Sequence, residues 1–533
     1  MSEWGMLTRR QQRSLWLIAL TLAAFAWRVH TLDRQSLWRD EVDAVYFATR
    51  YLPDTLSMFV SPGQNGPLYF VSLRPWFALL GSSEFALRFP SAAAGVLSVL
   101  LTWQVARRLL PLRPGPDTSV RDERDGTVAW VAATAMAANP YQLWYAQEGK
   151  MYTVITALVL LASWWWLEGI GRGGWRPWLA YWLTVTVALY THLLLILLFP
   201  LHLAWFLLAW PASRVHWRGY AAALAGLTLP YLPMVWWQWE MLVADTPKTG
   251  FSFTPLDAMA RTLLLNQSRG FAPMSDWIWL APLFFLGGAG TLLGAGDVAS
   301  REGHATDAGL GVELSGWRRY ALTATWVLLP PLTLYALSLR QPIFTDRYLI
   351  WIAPALMMVL GLGVVAVRRY APIAGRVVAA SLVIYVLGLW LHAGWQQKTL
   401  PMKYDLRSAV HAIAAQRAPD DLLILQIPHM EYAYRYYSGD FGPRPFDASD
   451  ARLGPWMGGL WTNHNRPDAE SRAEVDQVMR VRTAGFTRLW LLRSEAEMWD
   501  RRGLMDAWLT EHAEIVEARD FLGVQVRAYR LHQ

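Results

Sequence analysis

The sequence predicts a polytopic α-helical membrane protein of about eleven spans, give or take two, followed by an α/β domain outside the cytoplasm. Three observations predict it. Apolar windows of about bilayer length recur as far as residue 391. Arginines gather on alternate connections between those windows. From about residue 398 the windows stop, and shorter helix and strand periodicities take over. The composition agrees: of 533 residues, 54% are hydrophobic and 17% charged, with a mean hydropathy of +0.19, whereas soluble domains average about 25% charged residues.

The spans read as 15–32, 89–110, 128–145, 152–170, 178–190, 193–210, 220–239, 277–295, 322–339, 349–367 and 377–392. Arg9, Arg10 and Arg13 precede the first and put the N-terminus in the cytoplasm. With strict alternation, Arg107/Arg108, Arg172/Arg176, Arg214/Arg218, Arg318/Arg319 and Arg368/Arg369 all fall inside. The outward connections hold fewer cations: Lys150, Lys248, Arg261, Arg269, Arg340 and Arg347. Segment 66–80 is apolar but short and carries Arg74 and Pro75. Counting it as a span would turn every later arginine outward, so an interfacial or re-entrant helix is expected there. The stretches 111–126 and 296–316 read as polar cytoplasmic loops. The N-terminus also has the pattern of a signal peptide ending at Ala24-Phe25-Ala26; retention is expected, because Arg28 and an acidic cluster follow at once.

Tryptophan is abundant, at 32 residues, and most of these rings are expected at the membrane–water interface. Cysteine is absent, so there is no disulfide framework and no thiolate nucleophile or metal ligand. The net charge of +7 reports topology. No basic run is interleaved with aromatics, which argues against a nucleic-acid partner.

The expected domains are a membrane part, 1–397, with a long first outer loop at 33–88, and a soluble extracytoplasmic part, 398–533. In the latter, helices are expected at 405–417, 430–437, 473–482 and 497–509, and strands at 421–427, 488–492 and 524–529.

The first outer loop opens with Trp38-Arg39-Asp40-Glu41-Val42-Asp43. Acids beside a membrane are costly unless they face water, a cation or a substrate. Neighbouring residues on a helix point to different sides, so Asp40 and Glu41 are expected to divide two tasks: accepting a proton from an attacking hydroxyl, and orienting it or holding a cation. Helix-end charge is the competing reading, strongest for Asp43. Farther on, Ser61-Pro62-Gly63-Gln64-Asn65-Gly66 is turn-rich, and Asn65 is suited to hydrogen-bonding a sugar hydroxyl. Gln147-Glu148-Gly149-Lys150, Tyr190-Thr191-His192 and Asp346-Arg347-Tyr348 mark three further junctions on the outer face. Arg347 has the planar fork that suits a phosphate. Cations for a phosphate, a carboxylate for an acceptor and apolar walls for a tail are what a lipid-phosphate substrate needs. Oxygen ligands such as Asp40 and Glu41 would hold Mg²⁺ or Mn²⁺, although no spacing forces a metal site.

These motifs, with Gly66-Pro67-Leu68-Tyr69, 81–91 and Asn139-Pro140 between them, resemble in order and spacing the membrane-embedded GT-C glycosyltransferases. The likeness is to the bacterial group similar to dolichyl-phosphate-mannose protein mannosyltransferases and aminoarabinose transferases. The resemblance implies a polyprenyl-phosphate-linked sugar as donor, a hexosyl or pentosyl group transferred with inversion, and a lipid, glycan or protein hydroxyl as acceptor at the inner membrane's outer face. By the same resemblance Asp40 matches the catalytic aspartate, with Glu41 beside it. Arg347 and Lys150 would hold the donor phosphate, with Glu148, His192, Tyr348 and Asn65 lining the site. Gly66 stands where the family often has proline, and Lys150 where it often has arginine.

Two readings from other classes compete. A flippase or transporter of lipid-linked sugar would show inverted repeats and midplane charges; the sequence has no internal repeat, and its polar clusters sit at one face. A receptor or scaffold would account for the outer domain but not for the first-loop acids.

Overall fold

The computed structural model describes residues 8–60, 62–110, 126–210, 212–243, 251–273, 277–299, 314, 316–370, 373–426, 430–439, 468–495, 500 and 502–532. Ser61, Lys248, most of the two loops at 111–126 and 296–316, and the start of the helix expected at 497–509 lie outside the described residues. The chain forms two compact units. The first comprises Met1–Leu32, Leu56–Tyr69 and Arg88–Thr399; the second comprises Asp33–Thr55, Phe70–Leu87 and Leu400–Gln533.

The first unit is helical, and each of the eleven apolar segments carries helix. Among the described residues, five helices are long and apolar enough to cross a membrane: Glu84–Leu109, Tyr152–Arg172, Trp317–Ser338, Asp346–Arg369 and Ala374–Thr399; a bent pair, Leu193–Leu208 with Ala212–Met241, makes up to six. Of the remaining segments, 15–32 falls largely in the 21-residue helix Arg9–Val29, and the others form shorter or interrupted helices. Segment 66–80 becomes the helix Leu68–Leu80, whose 13 residues rise about 20 Å, short of a hydrocarbon core of about 30 Å. Several tryptophans expected at the interface are instead packing residues: Trp166, Trp205, Trp326 and Trp390 are almost wholly buried.

One expected span, 128–145, is two helices, and the break has a clear local cause. Thr127–Ala138 ends at Asn139, which has non-helical backbone angles, and Pro140 opens the helix Pro140–Ala146. Proline at a first helical position loses no hydrogen bond. Asn139 caps the new helix, its Oδ1 accepting from Gln142 N–H at 3.0 Å. The carbonyls stranded at the end of the first helix are met by buried Arg28, which donates to Met136 O at 2.8 Å and Ala137 O at 3.0 Å. Elsewhere, glycine lets two helices close up. A Cβ on Gly290 would lie 2.1 Å from Val359 O, and one on Gly363 would lie 2.0 Å from Leu286 O, so Ala281–Ala299 and Ala353–Tyr370 pack backbone to backbone.

The second unit is built on a four-stranded sheet of order β1-β2-β4-β3, with β1 Leu422–Leu425, β2 Arg488–Ser494, β3 Ala513–Phe521 and β4 Val524–Leu531. β1 runs parallel to β2, while β4 is antiparallel to both β2 and β3. Leu422, Ile424, Leu489 and Leu491 join Met479 and Trp508 in its core. The helices Leu406–Ala414, Met430–Ser438 and Asp468–Thr483 fall where the periodicity predicts them. β3 was not legible in advance. It is an edge strand, exposed over most of its length, with a bulge between Ile515 and Glu517 that shifts the register. Without one buried face and one constant phase, the alternation that marks a strand does not develop.

Candidate active site

The second unit holds the first-loop acids. Arg39–Thr49 is a helix with Asp40 and Glu41 in its first turn, where acidic side chains meet the positive end of the helix dipole. At the third helical position Glu41 reaches back toward Trp38 N–H, its Oε2 at 3.4 Å. The same oxygen lies 3.1 Å from Lys403 Nζ, and both side chains are buried. Asp40, one residue earlier, keeps 19% of its side chain exposed. The helix therefore separates the two acids as adjacent positions require: Glu41 is locked inside, and Asp40 stays reachable.

Residues beyond 400 hold this turn on several sides. Gln35 Oε1 accepts from the N–H groups of Met402 and Lys403, at 3.1 and 2.9 Å. The Arg407 guanidinium binds Glu84 at 2.6 Å and Asp33 O at 2.9 Å. Tyr437 receives Leu37 N–H at 2.6 Å and donates to Glu84 at 3.2 Å. Burial pushes that phenol up to about 12, so it remains a donor throughout the neutral range. Arg39 turns to Glu495 at 2.6 Å, and Tyr46 stacks on Tyr432 with ring centroids 3.9 Å apart.

The other six predicted site residues all belong to the first unit, which gathers several of them. His192 lies between the helix Trp175–Thr191 and the turn Leu193–Leu197. Its ring meets Tyr348 edge-on at 4.9 Å and Tyr152 at 6.4 Å. The Arg347 guanidinium sits over the Tyr152 ring, 5.6 Å from its centroid. Glu148, Asp346 and Arg347 all act on Tyr145 electrostatically. Lys150 is nearly buried, and its carbonyl accepts from Ser91 Oγ at 2.8 Å, which pins the turn that carries it. Asn65 is half-buried, and among the described residues no hydrogen bond joins its side chain to the cluster. Its neighbour Gly66 shows why glycine stands there: a Cβ would come 1.9 Å from Tyr190 O, so the turn can lie against Tyr190 only without a side chain.

His192 has a defined protonation state. Burial, and then Arg347, push its imidazole down to about 3, so it is neutral. Nδ1 accepts from Leu194 N–H at 3.3 Å, which leaves the proton on Nε2. That Nε2 is buried and finds no hydrogen-bond acceptor among the described residues. A buried orphan donor costs about 1–3 kcal/mol, a cost that an incoming acceptor atom would remove.

Sequence reasoning gave no role to Asp346, which ties three segments of the first unit together. Asp346 Oδ2 accepts from Tyr141 OH at 2.8 Å and from Asn266 Nδ2 at 2.7 Å. Its position inside Asp346-Arg347-Tyr348 was a signal, but its partners come from 80 and 205 residues away. Sequence reasoning likewise missed Lys403, which nothing in the pattern links to Glu41. For the metal expectation, no cluster of three or more His, Asp or Glu side chains forms a ligand set among the described residues. Glu41 faces an ammonium instead.

No family model matches the chain, and no curated protein matches it. Solved structures do. ArnT from Cupriavidus metallidurans in the apo state is 14% identical, with 98% of each chain covered and a TM-score of 0.56. The same protein bound to undecaprenyl phosphate is also 14% identical, with 97% of this chain and 98% of that chain covered and a TM-score of 0.55. Arabinofuranosyltransferase AftD from Mycobacteria is 13% identical with a TM-score of 0.50; the match covers 99% of this chain and 42% of AftD. At such identities the likeness is one of fold, which the chain shares with these solved structures.

Proposed function

On the premise of that fold, we propose that this chain is an inverting glycosyltransferase using a polyprenyl-phosphate-linked sugar, hexosyl or pentosyl, as donor. The acceptor is a hydroxyl of a lipid, glycan or protein. The reaction takes place at the outer face of the inner membrane, with the N-terminus in the cytoplasm and residues 398–533 forming an outer domain. The observation that carries the reading is a cation and a neutral donor set against one ring: half-buried Arg347 over Tyr152, and His192 beside Tyr152 with its proton on Nε2. Such a pair suits a phosphate oxygen, and the ArnT of the same fold has been solved with undecaprenyl phosphate bound.

In the proposed reaction the acceptor oxygen attacks the anomeric carbon from the face opposite the phosphate. Asp40, the less buried acid of the pair, with Arg39 Nε 3.7 Å away, takes the hydroxyl proton. The bond between the anomeric carbon and the phosphate oxygen breaks, and its electron pair leaves with the phosphate. Arg347, His192 Nε2–H and Lys150 stabilise the charge that gathers there; Glu148 and Tyr348 shape the pocket, and Asn65 binds sugar. Glu41 orients the turn that carries Asp40.

The test is release of polyprenyl phosphate from a polyprenyl-phosphate sugar by purified full-length protein. Asp40→Asn is expected to abolish release with the fold intact, and Arg347→Lys to slow it by about 10²-fold or more. Substantial turnover by Asp40→Asn would overturn the base assignment. Passage of the intact lipid across liposomes without release would favour the flippase.

A further inference from the structure

The start of β2 carries an arrangement that is unfavourable as it stands. Arg488 on β2 is directly opposite Arg530 on β4 in the register of the sheet. Side chains so placed have Cβ atoms about 5 Å apart, and like charges there repel each other. The acids nearby compensate loosely. Glu514 Oε2, on β3, lies 3.5 Å from Arg530 Nη1, and Asp421 Oδ2 lies 3.8 Å from Arg488 Nη1. A close arginine–carboxylate bond measures about 2.7–2.9 Å. Asp421 Oδ2 is also engaged elsewhere, accepting from Trp490 Nε1 at 2.9 Å and Ala418 N–H at 3.0 Å. Arg417 brings a third cation to this end of the sheet, donating to Asp421 O at 2.9 Å.

Both arginines line one open concavity of about 490 Å³, together with Thr487, Val516 and Leu531. Small-molecule sites measure about 300–1,000 Å³. Arg488 keeps 34% of its side chain exposed and Arg530 68%, so solvent reaches both guanidinium groups. The bulge in β3 supplies one wall. Val516 is the residue left out of the register between Ile515 and Glu517, and a bulge re-aims the side chain it frees. The resulting chemistry is mixed: two planar forks for an oxyanion, Val516 and Leu531 for a C–H face, and the hydroxyl of exposed Thr487. An anionic sugar offers all three complements, and its charge would turn the repulsion between the arginines into attraction.

We propose that this concavity binds the oxyanion-bearing unit of a glycan, a uronate carboxylate or a sugar phosphate, between Arg488 and Arg530. The site is remote from the proposed base. Arg39, beside Asp40, meets Glu495, the residue after the far end of β2. The seven residues of that strand rise about 23 Å, so a sugar held here takes no part in proton transfer at Asp40. The site does not rest on the proposed reaction.

The test titrates purified full-length protein in detergent with D-glucuronate, glucose 6-phosphate, glucose and inorganic phosphate, read by calorimetry. At least one charged sugar is expected to bind, and more weakly at high salt. Glucose and inorganic phosphate should bind it at least tenfold less tightly. Whichever charged sugar binds tighter identifies the oxyanion. Arg530→Gln, at an exposed position, should weaken binding about tenfold or more. Val516→Glu leaves both arginines in place and should abolish binding by setting a carboxylate in the concavity. Inorganic phosphate binding as tightly as the charged sugars would overturn the proposal. So would the failure of both sugars to bind, or an affinity unchanged in both variants. Release of polyprenyl phosphate is a separate readout, so failure here leaves the proposed reaction standing, and the reverse holds too.

Discussion

At the scale of single residues, the pair Asp40 and Glu41 shows both the reach and the limit of the sequence. That the two acids face different ways was legible, because a helix sends adjacent side chains to different sides. Which one is reachable was not, because it depends on Lys403, 362 residues downstream. Lys403→Met should leave the Glu41 carboxylate buried without its counter-charge and destabilise the protein by about 3–5 kcal/mol. Lys403→Met combined with Glu41→Met should recover most of that loss, since apolar replacement of a buried pair is often neutral. Thermal unfolding of the purified variants in detergent checks both. Equal melting of the single and double variants would show that the pair does not act as a unit. The neutral state of His192 was equally hidden, for it follows from burial and from the Leu194 N–H.

At the scale of elements, the apolar segments and most helices of the second unit could be read from periodicity, because each buries one consistent face. The exceptions have local causes. Asn139-Pro140 breaks an apolar run whose hydropathy stays high on both sides, so composition alone does not reveal the break. β3 hides behind its bulge and its exposure. Gly66 stands out as a departure from the family pattern, and its contact with Tyr190 O supplies the reason. Gly66→Ala should therefore displace the turn at 62–67 or the Tyr190–His192 junction, as a Cβ cannot sit 1.9 Å from a carbonyl oxygen. If His192 takes part in donor binding, the apparent KM for the lipid donor should rise well before stability is lost. Unchanged KM and kcat in a folded Gly66→Ala variant would detach this turn from the site.

At the scale of the whole molecule, the division into two compact units does not follow the order of the chain. Composition changes at about residue 398, yet the compact unit that contains residues 400–533 also takes in 33–55 and 70–87. No local pattern announces that, because the contacts responsible are long-range: Arg407 with Glu84, Tyr437 with Leu37, Tyr436 with Ser82. A chain truncated after Thr399 should still form the helices of the first unit. Its segment 33–55 would lose those partners, so trypsin should cut at Arg34 and Arg39 far faster than in the full-length protein. Sugar transfer should be absent. Protection of those arginines in the truncated protein would count against the C-terminal residues as the frame of the first loop.

The 362 residues between Glu41 and Lys403 are also an interval of time. At roughly 5–20 residues per second, the ribosome needs on the order of 20–70 s to reach Lys403 after Glu41 has been made. Throughout that interval the turn bearing Asp40 exists without its frame, while helix after helix is synthesised behind it. The candidate base is thus among the first residues made and among the last to be set in position, and a nascent chain lacks the full frame of that turn until synthesis has passed Glu495.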